Sequence, residues 1–117
     1  MHNHLIAVAC LSLLLSSSAA HSRGFIILGQ GNVSCGKWTD GRRTNGASAL
    51  GYSSWVLGYL SAYNSYALKH SSDITQGTDN SGVLAWIDNY CRDNPLENIR
   101  SATDALIIEL QKRSGAY

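Results

Sequence analysis

The chain has 117 residues, with nine Lys and Arg against eight Asp and Glu, a formal net charge of +1, 44% apolar and 15% charged residues. A chain of this length sets a single domain. So even a balance, with no strong block of either sign, argues against nucleic acid or an anionic membrane as the main partner.

Residues 5–15 are an apolar run too short to span a bilayer as a stable helix, and Ser16, Ser17, Ser18, Ala19 and Ala20 follow it. The pattern predicts a signal peptide over residues 1–20, cleaved between Ala20 and His21, and one domain over residues 21–117. The segment before the run, Met1-His2-Asn3-His4, has no Lys or Arg and takes its charge from the amino terminus and the histidines. Cys10 lies inside the apolar run, whereas a lipidated cysteine should end it. Export to the periplasm or the extracellular space is therefore expected, with no stable membrane anchor after cleavage. Two cysteines remain in the processed chain, Cys35 and Cys91, in a compartment where thiols oxidise. They are expected to pair, which in the chain-entropy model stabilises the fold by about 4 kcal/mol.

The first apolar run of the processed chain, Phe25-Ile26-Ile27-Leu28, is bracketed by glycines. It fits a short strand or an extended arm laid over a groove, and the pattern alone does not separate them. Residues 29–34 superficially echo a glycine-rich phosphate loop but lack the third glycine, so a turn is the reading here. Asn32-Val33-Ser34 is also a glycosylation sequon, which matters only in a eukaryotic source. Ser34 is placed to cap a helical turn carrying Cys35 and Trp38, which the turn residues from Asp40 to Gly46 are expected to break. Arg42-Arg43 then falls in a solvated loop.

Three main helices follow. Residues 48–69 carry Leu50, Trp55, Val56, Tyr59, Leu60, Tyr63 and Tyr66 or Ala67 at helical spacing. Gly58 and Ala62 share one face of this helix, which suggests close approach of a neighbouring helix. Residues 70–81 read as a polar, mobile connector, with Asp79 or Asn80 capping the next helix. In residues 80–92, Val83, Leu84, Ile87, Tyr90 and Cys91 share a face, which turns the second cysteine inward. Asn94-Pro95 is a good N-cap and first-turn pair and predicts a helical restart there. The last helix is expected over residues 95–113, with Lys112 and Arg113 at its negative end and Gly115 as its stop. The fold class is thus all-α, a small bundle of three main helices stapled by one disulfide, with at most one short N-terminal strand or arm.

Reactive chemistry is sparse. His21 and His70 are the only histidines of the processed chain, and no pair of ligand residues sits at metal-binding spacing, so neither metal nor cofactor is expected. No serine lies in a nucleophile elbow, and Asp88 and Asp93, five apart, face differently and read as caps and solubility residues. No catalytic residue is assigned. Aromatics are abundant instead. Tyr52, Trp55, Tyr59 and Tyr63 on the first long helix, with Trp86 and Tyr90, exceed what one stripe of a small core uses. Exposed Tyr and Trp are favoured at binding surfaces. Tyr52, Trp55, Tyr59 and Tyr63 are therefore the candidate protein-binding residues, with Tyr52 and Tyr63 the most exposed, and a weak homodimer is a further expectation.

Cys35, the Gly58-Tyr59-Leu60-Ser61-Ala62 helix, Tyr90-Cys91 followed by Asn94-Pro95, and Ala102 with Leu106 resemble small exported bacterial helical proteins with one long-range disulfide, over residues 33–110. That group includes HdeA-type acid chaperones and Rap1a/Tai immunity proteins. The resemblance implies a non-catalytic polypeptide binder of the cell envelope, chaperone-like in the HdeA manner. The alternatives are neutralisation of a dedicated toxin and, last, a small secreted enzyme. The chain departs from the acid chaperones in its low charge density, and from the immunity proteins in having Trp55-Val56-Leu57 where they usually carry a cysteine.

Overall fold

The computed structural model describes residues 24–68 and 72–115, so the expected cleavage site and both His21 and His70 lie outside the described residues. The all-α expectation holds: among the described residues there are four α-helices and no strand, only an isolated bridge between Ser34 and Asn98. The helices are α1 (Cys35–Thr44), α2 (Ala47–Ala62), α3 (Asn80–Asp93) and α4 (Ile99–Ser114). Cys35 and Cys91 are bonded, with Cα atoms 4.7 Å apart and 56 residues between them in sequence. Both are fully buried, and the core packs around them with Trp38, Val56, Ile87, Ile99 and Leu106.

The helix α1 adds to the three main helices expected. Ser34 caps it as anticipated, its Oγ accepting from Lys37 N at 3.2 Å. It does not break at Asp40-Gly41, because Gly41 is a packing site: a Cβ there would lie 3.1 Å from Tyr52 Cε2. Termination waits until Asn45, which takes the left-handed conformation (φ 50°) that Asn tolerates. Arg42 and Arg43 accordingly stand in the last helical turn rather than in a loop. Asp88, read from sequence as a solubility residue, is the hub between α1 and α3. It accepts from Trp38 Nε1 at 2.8 Å and takes both Arg42 Nε and Nη2 at 2.9 Å.

The buried stripe of α2 is Ala49, Ser53, Val56 and Leu60, so Leu50 points outward and is 72% exposed. Gly58 also faces open space, with no atom within 4 Å of where a Cβ would stand, so it does not admit a neighbouring helix as expected. After Ala62 the helix widens into a π-turn (Tyr63–Ala67). The polar connector is partly anchored. Asn64 donates to Asp73 and accepts from Ile74 N at 3.2 Å, which seats Ile74 in the core at 2% exposure.

Asp79 caps α3, accepting from Gly82 N at 2.7 Å. The expected restart at Asn94-Pro95 is displaced by four residues, because that turn spends its carbonyls on α1. Cys35 N donates to Glu97 O at 2.7 Å and Gly36 N to Pro95 O at 3.1 Å, satisfying donors that every helix start leaves unpaired. Ile99 N donates in turn to Val33 O at 3.0 Å, and Asn98 becomes the N-cap of α4. Leu96, which falls inside the helix expected over residues 95–113, is left in the turn at 99% exposure. Gly115 ends α4 in the left-handed conformation, as expected.

Candidate functional site

The arm over residues 24–28 is extended and runs across one flank of α2. It is an arm and not a strand. Its C-terminal end is fixed by Trp55, whose Nε1 donates to Leu28 O at 2.8 Å. Its other end rests on α4, where the Phe25 ring lies 4.7 Å from the Arg100 guanidinium carbon, a cation–π contact. Gly29 turns the chain at φ +72° into a short 3-10 helix (Gly29–Asn32). Gly31 is buried under this turn, where a Cβ would sit 2.7 Å from Trp55 Cη2 and 2.5 Å from Ile27 Cγ2. The sequence places glycine here because the indole lies flat against the backbone.

Between the arm and α2 runs a groove of about 410 Å³ lined by Ile26, Ile27, Leu28, Ser54, Trp55, Gly58 and Tyr59. No lining residue is charged. Trp55 and Tyr59 stack at 5.0 Å along one wall, four residues apart on α2. Gly58 leaves the wall between them open, which accounts for a glycine inside a helix better than a helix crossing does. The polar atoms of both rings are already satisfied. Tyr59 OH donates to Asp104 Oδ1 at 2.8 Å, and Asp104 Oδ2 faces Arg100 Nε at 2.9 Å. Burial, then the bond to Asp104, pushes the Tyr59 phenol above its ordinary range, so it stays a neutral donor at physiological pH. Besides Ser54, the large side chains left open on this face are apolar: Phe25 is 67% exposed, Ile26 83% and Leu28 78%.

Of the four aromatics that the sequence singles out, Trp55 and Tyr59 come together on this groove and Tyr52 and Tyr63 do not. Tyr52 stacks on Trp38 at 6.5 Å and covers Gly41, and Tyr63 accepts from Gln111 Nε2 at 2.8 Å. All four are half-buried, so Tyr52 and Tyr63 do not stand out by exposure as expected. Each is held by its own chain. Trp86 and Tyr90 stack on α3 at 5.7 Å, away from the groove lining. The sequence does not reveal the arm side chains as part of the site, although an arm over a groove is one of the alternatives it leaves open. Two glycines are the available signal, Gly31 opposite an aromatic and Gly58 between two.

Among the described residues no group of three His, Cys, Asp or Glu could hold a metal ion. No described helix is long and apolar enough to cross a membrane, and the disulfide fits a non-reducing compartment. Comparison with protein-family models, curated proteins and solved structures finds no match for this chain.

Proposed function

We propose that the protein is exported and binds apolar polypeptide segments in the groove between the arm and α2, chaperone-like and without catalysis. One observation carries this reading. The groove joins a stacked Trp55–Tyr59 wall to three large apolar side chains left exposed on the arm, and the polar atoms of its two rings already have partners. An occupant can therefore bury apolar area without stranding a ring donor, the condition under which burial is favourable. The disulfide supports export, because a domain this small gains a large share of its stability from such a link.

Gly58→Leu tests the site. Nothing stands within 4 Å of the added Cβ, and the rest of the side chain would fill the groove opening. Gly51→Leu, equally unobstructed and outside the groove lining, is the control. The oxidised protein should suppress aggregation of a thermally unfolding, unrelated enzyme; Gly51→Leu should keep that activity and Gly58→Leu should lose it. Indifference to Gly58→Leu, with the protein folded, would refute the groove as the site. Recovery of a single partner at stoichiometric ratio, without aggregation suppression, would favour neutralisation of a dedicated toxin over chaperoning.

A further inference from the structure

A second cleft, of about 530 Å³, lies between α2 and α3, with the last turn of α1 at one end. Its size is that of a small-molecule site. Leu50, Leu57 and Leu84 give it apolar walls, no carboxylate lines it, and Arg42 is its one charged lining residue.

Three sets of donors meet there. The first is the start of α2. Side chains cap α1, α3 and α4, whereas α2 has Gly46 at its N-cap, with no side-chain cap and no acidic residue in its first turn. Among the described residues the N–H groups of Ala47 and Ser48 have no acceptor, and a helix start carries partial positive charge. The second is Arg42, which spends Nε and Nη2 on Asp88 and keeps Nη1. The third is Ser53, buried at 9% exposure on the cleft wall. Thr103, also buried, returns its hydroxyl to Ile99 O at 2.8 Å, but Ser53 Oγ has no partner among the described residues. Burying a hydroxyl unpaired costs free energy, so an open acceptor site at this point of the wall calls for an occupant.

We propose that the cleft binds a small, singly charged carboxylate on an apolar chain. The head group accepts from the start of α2 and from Arg42 Nη1, where two N–H groups and one guanidinium nitrogen suit a single negative charge. Gly46 and Ser53 lie two helical turns apart, so a second oxygen about 10 Å along the chain accepts from Ser53 Oγ.

The probe is ω-hydroxyoctanoate, whose extended chain spans that distance. Titration of the oxidised protein should give saturable nitrogen-15 shifts at the Ala47, Ser48 and Ser53 amides, with Kd below about 1 mM. Octanoate should bind roughly threefold more weakly, and the uncharged octanediol roughly tenfold more weakly. Ser53→Ala should erase the preference for the hydroxy acid and leave octanoate binding unchanged. Gly46→Asp supplies the missing cap: the backbone there is extended, and the new Cβ meets only Thr44 Oγ1 at 3.8 Å. It should raise Tm slightly while weakening the probe roughly tenfold, a combination that damage to the fold does not produce. Absence of saturable binding overturns the inference. So does equal binding of the diol, a hydroxyl preference that survives Ser53→Ala, or affinity indifferent to Gly46→Asp. Gly58→Leu, outside this cleft, should leave the titration unchanged, so the cleft and the arm groove stand or fall separately.

Discussion

Replacing Gly31 by Ala perturbs the arm with a single methyl group. Gly31 is buried and its φ is not positive, so the cost is steric and not conformational. The new Cβ would stand 2.7 Å from Trp55 Cη2 and 2.5 Å from Ile27 Cγ2, both closer than real Cβ contacts allow. Either the indole or the arm must shift. The Trp55 ring is held by its stack on Tyr59 and by the Leu28 carbonyl, so a shift gives up packing at both. Overpacking of this kind costs about 1–3 kcal/mol, and loss of the indole hydrogen bond about 1 kcal/mol more. Within a domain of this size each kcal/mol lowers Tm by roughly 4–8 °C. Gly51→Ala and Gly58→Ala should move the other way by about 0.5–1 kcal/mol, since both glycines sit inside α2 with nothing within 4 Å of an added Cβ. Thermal unfolding by circular dichroism reads the sign of each change. Indole N–H exchange in a nitrogen-15 spectrum reads the arm itself, because Trp55 Nε1–H should lose protection in Gly31→Ala while Trp38 Nε1–H, bonded to Asp88, keeps it. A Gly31→Ala protein as stable as the parent, with Trp55 still protected, would refute this account of the turn.

Cys35→Ser and Cys91→Ser should each cost about 2–5 kcal/mol and the double change little more than either, which paired denaturant melts would check; additive losses would deny the link. Asp88→Asn removes the charge that Arg42 grips while leaving an acceptor for Trp38, so melts in low and high salt should show a loss of about 1 kcal/mol, discounted because both charged groups are about one-third exposed. Asn64→Ala frees the segment that seats Ile74 and should increase amide exchange at Ile74 and Thr75 before it alters α3. Acid should act on the same segment. Hydrogen bonds from the Thr75 side chain and backbone, then Asn64, hold the Asp73 carboxyl below its ordinary range. A depressed folded value means that its contribution is present above the ordinary carboxylate value and is lost as pH falls through the lowered one. Thr75 amide exchange should thus rise only under strongly acidic conditions; loosening near pH 6 would contradict the assignment.

How far the sequence can be read depends on which kind of constraint each residue answers to. Periodicity reports which side chains are buried, and it locates α3 and the body of α4 well because Val83, Ile87 and Cys91, and Ala102, Leu106 and Leu110, are buried on single faces. Caps are equally legible at Ser34, Asp79 and Gly115. Backbone accounting across long range is not. Nothing local tells that the carbonyls of Pro95 and Glu97 are committed to Gly36 and Cys35, and that commitment moves the start of α4 to Ile99 and leaves Leu96 in solvent. The same holds for Gly41, whose turn-like surroundings suggest a break until the Tyr52 ring above it is taken into account.

At the groove the limit is of the same kind. Composition singles out Trp55 and Tyr59, since aromatic excess is visible in one dimension, but it singles out Tyr52 and Tyr63 equally. What divides the pairs is their place relative to the arm: Tyr52 stacks on Trp38 and Tyr63 accepts from Gln111, away from it, while Trp55 stacks on Tyr59 and donates to the arm carbonyl of Leu28. An extended segment held at its ends by one hydrogen bond and one cation–π contact cannot cover two aromatic rings as a helix would. The rings and the arm therefore share an incompletely buried surface. That incompleteness, and not the number of tyrosines, is what the proposed binding of a polypeptide at this face rests on.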